Sequence, residues 1–188
     1  KESENANMRH RPVGLGSMGW HDVFYALDID YSSEEAVALS DKIYENISYA
    51  AILGSSKLAK ERGTYQTYKG SLWDQNILPI DTYKKLLKTR GKREKVETTL
   101  DWNIVRDHIK QYGMRNSNTM AIAPTATISY ICGCSQSIEP NFGVMFVYST
   151  LSGEFTQINE YFVEDIKKLG LWSQEFVNVV KSIDGDLS

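Results

Sequence analysis

One long stretch with helical periodicity, residues 33–62, constrains the fold more than any other part of the sequence. Ser32 and Glu35 form a capping-box pattern at its start, and Gly63 follows its basic end. A helix of roughly 30 residues is about 45 Å long and needs a large partner surface. We expect another backbone to lie near the alanine and glycine residues within 50–54. The predicted buried stripe has members three or four residues apart: Val37, Ser40, Ile43, Tyr44, Ile47, Ala51, Gly54 and Leu58.

Shorter helical patterns and two strand patterns accompany the long helix. A buried strand is predicted at 119–123, where Pro124 ends it, and a second strand at 144–148. Glycines alternate with apolar residues over 13–19, which allows close backbone packing. The mixture, with helix in the majority, predicts an α/β fold whose strand order the pattern does not give. The remaining helices are predicted at 20–27, from Asp81 to 89, from Asp101 or Thr99 to 112, up to Cys132, at 159–169 and at 173–182.

The composition excludes several functional classes. The 188 residues carry a formal net charge of −3 and no run of five or more basic residues, so duplex nucleic acid is not an expected partner. No stretch approaches the ~20 apolar residues that span a bilayer, and the first residues do not resemble a signal peptide. The two cysteines lie one residue apart, too close to cross-link the fold. These observations predict a globular, cytoplasmic protein, with the charged stretch 90–97 as a solvated turn.

The segment 115–140 is the least generic part of the chain. A strand that ends in proline, a cluster of small hydroxyl residues and a helix start together suggest a cradle for a phosphate or oxyanion. Thr125, Thr127 and Ser129 supply hydroxyl donors, and Ala126 leaves room for close approach. Local pattern by itself favours a simpler interpretation, in which these hydroxyls only cap a helix.

No reactive centre is evident elsewhere. Cys132 and Cys134 supply two thiols with no histidine nearby, so buried or half-buried free thiols are expected in place of a zinc site. His108 is predicted to be solvated on a helix flank. Glu139 is a candidate buried carboxylate, with either a structural or a catalytic role. No metal-ligand set is predicted.

The sequence of residues 114–128, followed by Ser-Ile-Glu-Pro at 137–140, closely resembles the large (α) subunit of class I ribonucleotide reductases. The resemblance is specific because the matching blocks occur in the family's order along nearly the whole chain. The supporting blocks are residues 9–16, 58–63, 76–81 and 151–155.

The resemblance implies a fold, a reaction and a binding loop. The family reduces the 2′-hydroxyl of ribonucleoside diphosphates through a protein thiyl radical, within a ten-stranded α/β barrel. The resemblance implies that the substrate's phosphates bind at Pro124, Thr125, Ala126, Thr127 and Ile128, with Ser129 close by. Some relatives carry a hydroxyl residue at the position of Ile128, so here only its backbone N–H could serve.

The resemblance also implies that residues 1–188 form only part of the catalytic barrel. The family's radical cysteine and reducing cysteines match no position of this chain, and no redox role transfers to Cys132 or Cys134. No cofactor is expected on this segment. The parent protein is expected to receive its radical from a small (β) partner subunit, to bind allosteric nucleotides elsewhere and to be a homodimer.

Two alternatives remain at this stage. The first is a cobalamin-dependent ribonucleotide reductase, in which similar Pro-Thr-x-Thr loops occur. The second is a stand-alone, non-catalytic phosphate-binding domain, which would explain the absence of a reactive centre.

Overall fold

The computed structural model describes residues 1–92, 96–151 and 153–186. These residues divide into two compact units, which we describe separately: Lys1–Gly16 with Val37–Ala123, and Ser17–Ala36 with Pro124–Ser188. Along the described chain the elements are α1 (Glu2–His10), α2 (Trp20–Leu27), α3 (Glu34–Arg62), α4 (Pro79–Thr89), α5 (Trp102–Tyr112), α6 (Ala126–Cys132), β1 (Met145–Thr150), β2 (Gly153–Ile158), α7 (Glu160–Lys168) and α8 (Gln174–Ser182).

The first unit has its core between α3 and α5. Val105 and Ile109 of α5 lie four residues apart, on one face of the helix, and both are fully buried. Asp101 caps α5 by accepting a hydrogen bond from the Asn103 N–H at 3.0 Å. The buried cluster comprises Ile52, Tyr65, Leu78, Val105, Ile109 and Met114.

The long helix α3 is confirmed, but its cap lies one residue later than predicted. The Ala36 N–H donates to Ser33 Oγ at 3.1 Å, whereas Ser32 bonds the carboxylate of Asp30. The helix ends as predicted at Gly63, which has a positive φ of 76° and donates its N–H to the Ala59 carbonyl.

The predicted buried stripe of α3 is only partly correct, because six of its eight members are half-buried and none is fully buried. Val37 and Leu58 are exposed, and a Cβ on Gly54 would meet open space, so no other described backbone lies against it. The face that is buried carries Ile52, Ser55, Ser56 and Ala59. A hydropathy pattern undervalues this face because its two serines are buried as hydrogen-bonding residues: Ser55 Oγ donates to Asn116 Oδ1 at 2.9 Å and Ser56 Oγ to the Gly113 carbonyl at 2.8 Å.

The predicted strand at 119–123 is extended but not buried. It pairs in parallel with the segment around Leu15, whose N–H donates to the Thr119 carbonyl and whose carbonyl accepts from the Ala121 N–H. Ile122 remains 56% exposed, because among the described residues only this one segment pairs with it. Gly16 fits closely against the backbone of Ala121, as the alternating glycines predict.

The second unit combines helices with a β-hairpin. The strands β1 and β2 pair antiparallel from Met145↔Ile158 to Thr150↔Gly153. The first strand confirms the prediction at 144–148, whereas β2 was not predicted. Asn159 and Ser173 cap α7 and α8, as expected for helices at 159–169 and 173–182.

The fold agrees in part with the predicted class. It is helix-rich with few strands, and the described residues form no closed barrel. Residues 93–95 of the predicted solvated turn, and Ser152 of the block at 151–155, lie outside the described residues. In the described part of the chain, no helix has the length and hydrophobicity needed to cross a membrane.

Candidate functional site

The loop that precedes α6 presents backbone donors at the surface. Ala126, Thr127 and Ile128 occupy the first turn of α6, where N–H groups have no acceptor within the helix. All three residues are exposed. The next N–H, that of Ser129, already donates to the Thr125 carbonyl at 2.9 Å. The site therefore offers the kind of N–H cluster that anions bind at helix starts.

Thr125 has an unusual backbone conformation at the entrance to this turn. Its φ of 56° and ψ of 23° lie in the left-handed region, which is rare for a β-branched residue. Its Oγ1 accepts a hydrogen bond from the Ser137 N–H at 2.8 Å. Because the hydroxyl only accepts in this contact, its own proton remains available to a ligand.

A second contact fixes the segment that holds Thr125. Asp22 Oδ2, on α2, accepts from the Ser135 N–H at 2.6 Å, and the Ser135 carbonyl accepts from the Gly19 N–H at 2.9 Å. Ser135 and Ser137 are both buried. The start of α2 thus holds residues 135–137, and Ser137 in turn holds Thr125.

The structure separates the predicted site residues into two groups. Pro124 and Ala126 are exposed, Ile128 is 52% exposed, and Thr127 presents an exposed side chain. Ser129 is fully buried, and its hydroxyl lies 3.4 Å from the Ala126 carbonyl. Thr127 is therefore the exposed hydroxyl residue of the loop, whereas Thr125 is half-buried and its hydroxyl oxygen is held by the Ser137 N–H.

Sequence reasoning missed Asp22, Ser135 and Ser137 as supporting residues. Asp22 lies 113 positions from Ser135 in the chain, so no local pattern could associate the two. The only available signal was their occurrence beside motifs already noted: Asp22 follows the glycine-rich run, and Ser137 precedes Ile138-Glu139-Pro140.

The other candidate residues have structural or solvent-exposed positions. Cys132 and Cys134 are free thiols, as predicted, but only Cys134 is half-buried as expected, whereas Cys132 is exposed. Burial raises the pKa of Cys134, and Asp22 and Cys132 add to the effect. Glu139 is exposed, so the prediction of a buried carboxylate is wrong. Across the described ranges, no group of three or more His, Cys, Asp or Glu side chains could hold a metal ion.

His108 is not solvated as predicted. It is half-buried, and its Nδ1 lies 2.7 Å from Ser56 Oγ. Burial lowers the pKa of His108, and the nearby Lys60 and Lys57 lower it further. The local pattern around His108 predicted a solvent-facing side chain because its partner, Ser56, lies on α3, 52 positions away in the chain.

Comparison with known proteins identifies the family. Residues 1–186 match the family described as "Ribonucleotide reductase, barrel domain". The chain belongs to this ribonucleotide reductase family. This membership confirms the resemblance that the motifs predicted, and a helix-rich fold with few strands fits part of such a barrel.

Relatives of the ribonucleotide reductase chain come from bacteria and eukaryotes. It is 54% identical over 189 residues to the ribonucleoside-diphosphate reductase subunit alpha of Chlamydia pneumoniae, covering 99% of this chain and 18% of that protein. It is 38% identical over 188 residues to the large chain of Neurospora crassa and to the large subunit of Danio rerio, covering 100% of this chain and 19% and 22% of those proteins. The chain thus spans about a fifth of the length of these relatives. Their names do not favour either of the two alternatives, a cobalamin-dependent enzyme or a non-catalytic domain.

Proposed function

We propose that this chain is the part of a ribonucleoside-diphosphate reductase large subunit that binds the substrate's phosphates. In this proposal residues 1–188 are part of the catalytic barrel. The whole protein reduces ribonucleoside diphosphates to 2′-deoxyribonucleotides by a thiyl-radical mechanism, for DNA synthesis. It functions as a homodimer with a radical-generating small subunit. We assign neither Cys132 nor Cys134 a redox role.

The binding role belongs to the loop from Pro124 to Ser129. The N–H groups of Ala126, Thr127 and Ile128 and the hydroxyls of Thr125 and Thr127 would donate to phosphate oxygens. Charge-assisted hydrogen bonds of this kind are stronger than neutral ones, and the positive end of the helix dipole adds to them. The observation that carries the proposal is this cluster of exposed donors in a chain of the reductase family.

Such a loop would contribute to catalysis by positioning. Holding the diphosphate in one place orients the ribose toward the reacting groups, which lowers the entropic part of the barrier. Ser129 would support the loop from inside, since its side chain is fully buried. Ile128 would contribute only its backbone N–H.

The test is steady-state kinetics on the full-length reductase that carries this chain. Thr127→Val removes the exposed hydroxyl of the loop, and we expect KM for the diphosphate substrate to rise by about tenfold or more, because a charge-assisted bond contributes about 1.5–3 kcal/mol. The matched control is Thr127→Ser, which keeps the hydroxyl and should leave KM nearly unchanged. An unaltered KM in the Thr127→Val variant would contradict the loop assignment.

A further inference from the structure

His21, on α2, accepts a hydrogen bond from a segment that lies 120 positions later in the chain. The donor is the Asn141 backbone N–H, and its nitrogen lies 2.9 Å from His21 Nδ1. Because a backbone N–H can only donate, Nδ1 must present its lone pair to it. The ring is therefore neutral in this contact, with its proton on Nε2.

A tyrosine beside His21 holds the same segment. The Tyr31 hydroxyl donates to the Ile138 carbonyl at 2.7 Å, and its ring lies at 75° to the imidazole, with centroids 5.5 Å apart. The two hydrogen bonds thus fix residues 138 and 141, and we call residues 138–141 the held segment. Ile138 and Asn141 are both half-buried, so the loss of either bond is unfavourable.

Protonation of His21 is incompatible with the bond to Asn141. An imidazolium carries N–H groups on both nitrogens and has no lone pair, so its Nδ1–H and the Asn141 N–H would be two donors facing each other. Burial lowers the pKa of His21 from its ordinary value of 6.5, and the carboxylate of Asp22 raises it by a smaller amount. The contribution of the bond to stability is therefore fully present above pH 6.5 and is lost as the pH falls through the lowered pKa.

The other titratable groups on the elements around His21 lie on α2, the loop after it, the held segment and α7. Tyr25 contacts the imidazole with ring centroids 4.4 Å apart, and Tyr161 of α7 stacks on Tyr25 at 5.6 Å. Asp22 is the carboxylate that opposes the effect of burial on the ring. The remaining charged groups of these elements are exposed to solvent, which screens their effect: Asp28, Asp30, Glu139, Glu160, Glu164, Asp165, Lys167 and Lys168.

We propose that His21 is a pH-sensitive switch: its neutral ring positions the held segment against α2, and its protonation releases that segment. The held segment follows directly on residues 135–137, of which Ser137 supports Thr125. The proposal rests on the bond between His21 and Asn141 and does not depend on the phosphate-binding role of the loop.

Hydrogen exchange of the full-length protein that carries this chain tests the switch. The readout is the protection of the peptide that contains Asn141, with each rate divided by the intrinsic rate at the same pH. In the wild type, protection should fall about tenfold from about pH 7.5 to about pH 5, the equivalent of one hydrogen bond. In His21→Asn the side-chain amide oxygen takes the place of Nδ1 and does not titrate, so protection should persist across this range.

Two further variants complete the test. His21→Phe keeps an aromatic ring against Tyr25 and Tyr31 but has no acceptor, so protection should be low at every pH. His10→Asn is the matched control, because it makes the same substitution in the first unit, and it should retain the wild-type pH dependence at Asn141.

The comparison between the wild type and His21→Asn decides the outcome, since it does not require the phenylalanine variant to fold. Protection that falls with pH in the wild type and stays constant in His21→Asn supports the switch. The same pH dependence in both proteins overturns it, and so does wild-type protection that stays constant over this range.

Discussion

The Oγ1 atom of Thr125 lies 2.8 Å from the backbone nitrogen of Ser137 and accepts its hydrogen bond. This contact joins the start of α6 to a buried segment twelve residues later in the chain. It also explains how a β-branched residue keeps a left-handed conformation, since such a conformation persists only where its surroundings hold it.

Replacing Thr125 by valine should weaken the segment around Ser137, because it removes the acceptor of the Ser137 N–H. Valine keeps the β-branch, so the backbone cost is unchanged, but it leaves the buried Ser137 N–H without an acceptor. We expect the local stability there to fall by about 1–3 kcal/mol. Hydrogen exchange of the peptide that contains Ser137 measures this, and Thr125→Ser should exchange as slowly as the wild type. Equal exchange in the valine and serine variants would show that the hydroxyl does not hold the segment.

The carboxylate of Asp22 should stabilise the segment around Ser135 through the hydrogen bond that it accepts from the Ser135 N–H. Asp22→Ala removes the acceptor of the Ser135 N–H, and we expect faster hydrogen exchange in the 133–137 segment, corresponding to about 1.5–3 kcal/mol for a charge-assisted bond. Asp22→Asn retains an acceptor oxygen and should lose less than half of this protection. Equal exchange rates in the Asp22→Ala and Asp22→Asn variants would show that the charge of Asp22, and not its hydrogen bond, protects the segment.

Glu45 on α3 should make the first unit sensitive to acid. Its carboxylate accepts from the Thr99 N–H at 2.9 Å and from the Trp102 Nε1–H at 3.0 Å. Burial by itself would raise the pKa of Glu45, but these bonds, together with those from the Thr99 hydroxyl and the Leu100 N–H, outweigh it and lower the pKa to about 2.

A carboxyl group with a lowered pKa stabilises the fold above its ordinary pKa of 4.5 and loses that contribution as the pH falls toward about 2. Glu45→Gln should therefore lower the free energy of unfolding by about 1–2 kcal/mol near neutral pH. Its melting temperature should also depend less on pH between these two values than that of the wild type. A parallel pH dependence in both proteins would contradict this role.

Two glycines should respond to alanine in opposite directions. A Cβ on Gly16 would collide with the Ala121 carbonyl oxygen, so Gly16→Ala should destabilise the parallel pairing by about 1–3 kcal/mol. A Cβ on Gly54 meets open space inside α3, so Gly54→Ala should stabilise the helix by about 1 kcal/mol. Thermal unfolding of both variants checks this. Destabilisation by Gly54→Ala would instead support the expectation that another backbone packs there in the longer protein.

Local chemistry in the sequence determined most helices and their ends. Asp101, Asn159 and Ser173 cap the helices that their positions predict, and Gly63 ends α3, because capping depends only on neighbouring residues. The motif at residues 114–128 predicted the family, which the family match over residues 1–186 confirms, and the binding role of its loop stays a prediction. Both rest on residues that are close together in the chain.

Contacts between distant residues were decided only by the tertiary structure. The buried face of α3 follows from Ser55 and Ser56 finding partners on other segments, and the inward side chain of Ser129 from the packing around α6. The support of Thr125 by Ser137, and of Ser135 by Asp22, joins segments whose spacing carries no periodic signal. A sequence pattern records the polarity of each residue, but which polar group satisfies which other one depends on the three-dimensional path of the chain.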